Sequence, residues 1–289
     1  MTPSGTVSVI VSSYDDLAIL EAALAALSLQ TFSDFELIVA DDGSSQDYKP
    51  VLAGWAPRFV HGIQHVTHEK KGFRRARILN RAIHVSRFER VIFLDMDCLA
   101  HHDFVRNHLA HLQPGTAITG RRVDISREVV PTASQILDRG VGFSLPVLLL
   151  LWLQGKAKRV EHGFVSPLYY ESSHAALIGC NFSLCKSDLL ALNGFNEEFE
   201  GWGGEDTELD LRLHFMGARI RNLRNRVIEY HLRHERLGVQ AGQVEAVLER
   251  TRAEKSVRAR VGLAQIVEGD FSCTRFWSRL VPLHRPRGS

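Results

Sequence analysis

The stretch from Arg90 to Asp97, R-V-I-F-L-D-M-D, constrains this chain more than any other. Val91, Ile92, Phe93 and Leu94 form an unbroken apolar run of β-formers, the pattern of a strand buried on both faces. The run ends in carboxylates. Asp95 and Asp97 stand two apart, so an extended backbone aims both to one side and Met96 to the other, into the core. Two like charges at one strand end repel unless a cation or a donor array lies between them. A divalent ion such as Mg²⁺ or Mn²⁺, held by one or two carboxylates and by substrate phosphates, accounts for the placement. An ordinary acidic turn has the same letters, so the rest of the chain must decide.

The neighbouring segments repeat one theme. Thr6 to Ser12 reads as a first strand, and Asp15 or Asp16 as the cap of a helix with Leu17, Leu20, Leu24 and Leu27 at helical spacing. Phe35 to Ala40 is a second strand ending in Asp41-Asp42-Gly43, and Arg58 to Thr67 a weaker third. Arg74 to Arg87 has helical spacing. Strands alternating with helices predict an α/β fold with a mostly parallel central sheet flanked by helices, whose ligands bind beyond the carboxyl ends of the strands. Tyr14, Asp15, Asp42, Asp95 and Asp97 all fall at those ends. No glycine-rich phosphate loop occurs, so phosphates fall to a metal and to basic side chains. The run His68 to Arg81 supplies these, and Arg77 and Asn80 are the site candidates because they share a face at i, i+3. The histidines at 101, 102, 108 and 111 read as surface or capping residues.

A second informative stretch is Gly201-Trp202-Gly203-Gly204-Glu205-Asp206. Its glycines let the backbone approach a ligand, and the Trp202 indole can stack on a sugar ring. A helix follows, with Leu209, Leu213 and Met216 as its buried stripe. Glu205 and Asp206 sit in its first turn, where the helix dipole favours carboxylates and lowers their pKa. Ala176 to Leu184 reads as a strand and Lys186 to Leu192 as a short helix. Arg226 to His231 reads as the last strand. A further ligand is wanted for a metal held by the aspartates, and His231 is the first choice, His234 the second.

Composition removes other classes. The chain is 45% hydrophobic and 24% charged with a net charge of +2, which argues against disorder and, without any reader motif, against nucleic-acid binding. Cys98, Cys180, Cys185 and Cys273 show neither a C-x-x-C spacing nor a paired framework, so they read as reduced cytosolic thiols and zinc through them is not expected. The N-terminus lacks the basic-then-apolar pattern of a signal peptide. Val141 to Leu153 is strongly apolar but shorter than the ~20 residues that span a bilayer. Followed by Lys156, Lys158 and Arg159, it reads either as a membrane-surface loop or as a core helix or flap. The tail with Phe276, Trp277 and four arginines reads as a membrane-surface or partner helix.

With V-S-V-I-V-S-S-Y, A-D-D-G-S, F-L-D-M-D and G-W-G-G-E-D in that order, the chain resembles the GT-A glycosyltransferases of family 2 over roughly Val7 to His234. The G-W-G-G-E-D region is similar to that of β-1,4-galactosyltransferases and bacterial chondroitin polymerase. The resemblance implies a nucleotide-diphosphate sugar donor, usually UDP, a divalent metal (Mn²⁺ or Mg²⁺), and inversion by direct displacement onto a saccharide or lipid-linked acceptor. It also implies roles. Ser12, Tyr14 and Asp42 would contact base and ribose, and Arg77 and Asn80 would line the diphosphate. Asp95 would meet ribose or metal through water, and Asp97 would bind the metal with His231. Trp202 would be a sugar platform, Asp206 the general base, and Glu205 its neighbour on the acceptor hydroxyl. The expected organisation is a nucleotide-sugar half (1–115), an acceptor half (116–237) and a basic helical tail (238–289). The setting would be cell-surface polysaccharide or glycolipid synthesis in the cytoplasm, with peripheral membrane contact through 141–159 and 275–289. A non-catalytic nucleotide- or saccharide-binding scaffold on the same fold is the alternative.

Overall fold

The computed structural model describes residues 5–140, 143–166, 171–172, 176–233 and 241–277. The chain opens with β1 (Val7–Ser13), α1 (Leu17–Ser28), β2 (Phe35–Asp41), α2 (Lys49–Trp55), β3 (Ile63–Thr67), α3 (Arg75–Val85) and β4 (Arg90–Asp95). A second run follows: β5 (Cys98–Ala100), α4 (Phe104–His111), β6 (Thr116–Thr119), β7 (Arg121–Ser126), α5 (Ala133–Arg139) and α6 (Leu145–Leu153). It closes with β8 (Ala157–Lys158), β9 (Glu171–Ser172), β10 (Asn181–Cys185), α7 (Lys186–Ala191), α8 (Glu205–Met216), β11 (Arg219–Leu223), β12 (Ile228–Arg233), α9 (Ala241–Glu254) and β13 (Ser272–Phe276).

Among the described residues one large sheet runs in the order β13-β3-β2-β1-β4-β10-β6-β11-β9, and a smaller one in the order β5-β12-β7-β8. β3, β2, β1 and β4 are parallel, as apolar strands separated by helices must be. From β10 onward the large sheet is mixed, because β10 lies antiparallel to both β4 and β6. Every residue of β1 and β2 is buried. The layer on one face is α1, whose Leu20, Leu24 and Leu27 are inaccessible; the other face carries α3, with Ile78, Leu79 and Ile83 likewise. Asp16 is the residue that caps α1, accepting from the Ile19 amide.

Four expectations shift. The third strand begins at Ile63, since Ala56–Arg58 is a 3-10 turn around Pro57. The strand expected from Ala176 begins at Asn181, after a turn at Gly179-Cys180. His108 is no surface residue: it is buried between Ser183 and Asn181, at 2.9 and 3.0 Å. The tail is helical over α9, but its stretch up to Phe276 is a strand and not the membrane-surface or partner helix expected there. Residues 272–276 alternate and pair antiparallel with β3, covering that sheet edge; residues 278–289 lie outside the described residues. The segment 145–153 is a helix, with Pro146 in its first turn where a missing amide costs nothing. Among the described residues no helix is long and apolar enough to cross a membrane.

Candidate active site

The carboxyl ends of β1, β2 and β4, the N-terminus of α8 and strands β7 and β12 enclose a cavity of about 820 Å³. Ser12, Tyr14, Asp42, Asp95, Asp97, Trp202, Glu205, Asp206 and His231 all line it. Residues up to 219 positions apart in sequence, from Ser12 to His231, thus meet at the sheet edge where such folds bind ligands. Arg77 and Asn80 do not. Arg77 pairs with Asp270 at 2.8 Å and Glu197 at 3.4 Å. Asn80 is fully buried and exchanges hydrogen bonds with the Phe195 backbone, 2.9 Å to the carbonyl and 2.8 Å from the amide. The i, i+3 face they share packs against the segment 193–197, and the cavity receives the other face of α3.

That face presents Arg75, which sequence reasoning passed over. Its guanidinium donates to Asp95 Oδ1 at 2.6 Å and to the Gly179 carbonyl at 2.8 Å, and pairs with Glu205 Oε1 at 3.3 Å. Burial works against its charge, but Asp95 and Glu205 outweigh burial and hold its pKa above the ordinary value. The Ser12 hydroxyl donates to the same Asp95 oxygen. Arg75 therefore explains how Asp95 and Glu205 coexist in one cavity. The Asp42 carboxylate is also engaged, with His68 at 2.7 Å and the Arg74 amide at 2.7 Å; it fixes the turn into α3 at the cavity wall. Tyr14 is 40% exposed, with Lys70 over its ring.

Asp97 Oδ2 lies 3.6 Å from His231 Nε2, and the other ring nitrogen faces Asp124 Oδ1 at 3.4 Å. Burial lowers the His231 pKa, yet the Asp124 hydrogen bond and the Asp97 charge prevail and raise it. Asp124 moves the opposite way. Burial raises its pKa, but His231, Arg122 and Arg159 together hold it below 3.8. A carboxylate and an imidazole nitrogen facing each other, the ring oriented from behind by a second carboxylate, is a donor set that fits Mn²⁺ or Mg²⁺ completed by phosphate oxygens. Asp95 stands apart from this group, with the oxygen nearest Arg75 already engaged. His234 lies outside the described residues.

The loop before α8 needs its glycines. Gly204 takes φ 98°, and a Cβ there would meet Phe199 at 2.6 Å. Asp206 Oδ2 accepts from the Gly179 amide at 3.3 Å, and a Cβ on Gly179 would meet that oxygen at 2.9 Å. α8 itself is held by a fully buried Glu208–Arg212 pair at 2.7 Å. Glu205 departs from expectation. It is buried against Arg75, and burial, stronger than the opposing effect of Arg75, raises its pKa rather than letting the helix end lower it. Arg122, Lys158, Arg159 and Arg233 form the cavity's basic side, with the Asp124 carboxylate among them. Arg122 and Asp124, two apart on β7, could have been read as one face of a strand.

The model of glycosyl transferase family 2 matches residues 8–165, more than half of the chain. The chain belongs to that family. A second model, described as the N-terminal domain of galactosyltransferase, matches residues 160–244. Among curated relatives, this family 2 member is 30% identical over 227 residues to validoxylamine A glucosyltransferase of Streptomyces hygroscopicus subsp. jinggangensis, covering 73% of the chain and 51% of that protein. It is 25% identical to hyaluronan synthase of Pasteurella multocida, covering 78% and 24%. Chondroitin synthase of Escherichia coli is 24% identical, with 78% and 34% covered. The chain spans about a quarter to a half of the length of these relatives. Solved structures similar in fold include GalNAc-T7 with UDP, GalNAc and Mn²⁺, at TM-score 0.61 and 15% identity, covering 84% of this chain and 47% of that one. S. aureus TarS is another, at TM-score 0.57 and 16% identity, covering 90% and 41%. The fold is of the GT-A type.

Proposed function

We propose that this chain transfers a sugar, with inversion, from a UDP-sugar donor to a hydroxyl of a saccharide or lipid-linked acceptor in cell-surface polysaccharide or glycolipid synthesis. The observation that carries the reading is the convergence, in one cavity, of the Asp97–His231 pair, the Arg75 guanidinium and the Asp206 carboxylate. The similar GalNAc-T7 structure is one with UDP, GalNAc and Mn²⁺, and two of the relatives are a hyaluronan synthase and a chondroitin synthase, which supports the donor class and the setting.

Asp97 and His231 would hold Mn²⁺ or Mg²⁺, which when bound neutralises charge developing on the leaving diphosphate. Asp206, at the positive end of α8 and oriented by the Gly179 amide, accepts the proton of the attacking hydroxyl. Glu205 holds the Arg75 cation in place through Oε1 and stands beside Asp206 at the acceptor side, its Oε2 unpartnered. Arg75 takes the part in charge balance that the sequence suggested for Arg77. Trp202, half-buried at the cavity wall, offers its ring to a sugar face. Ser12 and Tyr14 border the end at which base and ribose would lie.

The same reading brings the acceptor from a membrane surface. On α6, Leu148 and Leu151 are buried as anchors, while Leu145, Val147, Leu149, Leu150, Trp152 and Leu153 are 42–74% exposed. That is a rigid apolar face with a Trp, followed at once by Lys156, Lys158 and Arg159, of which the last two line the cavity. Apolar face and cations together match an anionic lipid surface.

The test is release of nucleotide from a panel of sugar nucleotides with and without Mn²⁺, in wild type, Asp97→Ala and Asp206→Asn. One donor should turn over only with the cation. Asp206→Asn should lose about 10²–10⁴-fold in turnover while still binding nucleotide, and Asp97→Ala should lose cation-dependent binding. No turnover of any donor, with no cation-dependent nucleotide binding by calorimetry, would replace this reading with the scaffold.

A further inference from the structure

Behind the Asp97–His231 pair, three side chains far apart in sequence are brought together by the small sheet and the turn that precedes β10. His231 on β12 stands opposite Cys98 on β5, and Glu229 is two residues before His231, so Cys98, Glu229 and His231 share one face of the sheet. The turn at Gly179-Cys180 delivers Cys180 onto that face. Its thiol donates to Glu229 Oε1 at 3.1 Å, and the ligand atoms of Cys98, Cys180 and Glu229 all lie within 4.8 Å of one another. Cys98 and Glu229 are wholly inaccessible and Cys180 is 5% exposed.

Glu229 Oε2 has no hydrogen-bond partner, in a carboxyl group with no exposure to water. Such a group is costly to bury unless it is paired or coordinates a cation. Two sulfurs and a carboxylate oxygen are a borderline-soft donor set, and a tetrahedral Zn²⁺ with Zn–S of ~2.3 Å and Zn–O of ~2.1 Å sets its ligands roughly 3.5–3.8 Å apart. The 3.1 Å from Cys180 to Glu229 and the 4.8 Å bound on the other separations bracket that range. The Arg122 guanidinium, 4.0 Å from the Cys180 sulfur, favours the thiolate form. Cys180 also borders the cavity, which leaves a fourth position open to water.

We propose that Cys98, Cys180 and Glu229 form a cation site for a thiophilic metal such as Zn²⁺ that staples the floor of the cavity, next to the Asp97–His231 pair, which the Cys98 sulfur also adjoins at 3.6 Å from Asp97 Oδ1. Loading it forms two metal–sulfur bonds and one metal–oxygen bond to Glu229, and every proton these ligands carried, those of both thiols included, leaves to solvent. The site joins the three segments that carry Asp97, His231 and the Gly179 amide holding Asp206, so its metal stiffens the constellation without touching the reacting groups. Sequence spacing argued against zinc because no two cysteines are neighbours; the topology brings two of them together.

The test uses the full chain, stripped with a chelator and carrying Cys273→Ser to remove the exposed thiol, titrated with Cd²⁺ in the absence of donor and acceptor. Sulfur-to-cadmium charge-transfer absorbance in the ultraviolet should rise and saturate at one equivalent. It should vanish in Cys180→Ser, persist in Asp97→Ala, and require at least tenfold more Cd²⁺ in Glu229→Gln. Zn²⁺ should raise the melting temperature of the chain with both cysteines. If Cys180→Ser does not fold, protection of Cys98 and Cys180 from alkylation by bound Cd²⁺, read by mass spectrometry, decides in its place. No charge-transfer band, a band that survives loss of Cys180, a band that disappears in Asp97→Ala, or no protection of the two thiols would each overturn the proposal. Because metal uptake is read without sugar transfer, these outcomes are independent of the transferase reading.

Discussion

Replacing Arg75 by Met removes a charge while keeping most of the side-chain volume, and strands two carboxylates. Asp95 loses its 2.6 Å partner and Glu205 its 3.3 Å partner, with side-chain exposures of 29% and 10% respectively. Removing one member of a buried pair costs about 3–5 kcal/mol. Partial exposure of Asp95 gives water some access, so the cost here should fall near 2–3 kcal/mol. At about 2–4 °C per kcal/mol for a chain of this size, the melting temperature should drop by roughly 4–12 °C. Adding Glu205→Gln removes one of the two orphaned charges and should recover part of the loss, giving a coupling of about 1 kcal/mol or more between the two positions. Nucleotide-diphosphate affinity, measured by calorimetry with Mn²⁺, should fall at least tenfold in Arg75→Met. Were the single variant to melt within about 1 °C of wild type, with coupling below ~0.3 kcal/mol, Arg75 would not be the ion that holds this cavity together.

The other expectations are narrower. Arg77→Ala should leave nucleotide affinity unchanged within about twofold and cost about 1 kcal/mol by thermal unfolding, because Arg81 still reaches Glu197 and Asp270; a tenfold loss of affinity would restore Arg77 to the site. Gly179→Ala should depress turnover more than donor binding, since its Cβ displaces the Asp206 carboxylate; equal losses in both would count against the role of that amide. His108 is buried with its pKa pushed down to about 3 from 6.5 by burial. The unfolded chain thus binds a proton that the folded one does not, and stability falls as pH drops below 6.5, by about 2 kcal/mol at pH 5. Equilibrium unfolding across that range should show a shallower decline in His108→Gln, and an unchanged slope would refute the assignment. Replacing Leu149, Leu150 and Trp152 together by Ser should abolish sedimentation with phosphatidylglycerol vesicles while leaving donor hydrolysis intact. Vesicle binding equal to wild type would remove the membrane from the picture, and self-association lost in this variant would assign the face to a second copy.

What could be read from the residues was whatever is local. The apolar run 91–94 and the alternating segments before it placed β1, β2 and β4, and hence the edge on which Ser12, Asp42 and Asp95 gather, because strand burial and strand ends are written in consecutive letters. The loop at 201–206 was equally open to reading, since three glycines with positive φ leave no other residue type comfortable there. Choosing between Arg75 and Arg77 was not local. They lie two apart on α3, so one faces the cavity and the other the segment 193–197 and Asp270, and nothing in the run G-F-R-R-A-R-I-L-N says which helix face meets which neighbour. The same limit applied to Glu205. A helix N-terminus argues for a lowered pKa, and only the packing of Arg75 and the cavity wall around it reveals that desolvation is the larger effect. Asp124 shows the general form of the difficulty. It orients His231 only because β7 runs parallel to β12 in register with it, and a register between strands about a hundred residues apart is fixed by the summed burial of both sheets rather than by any motif.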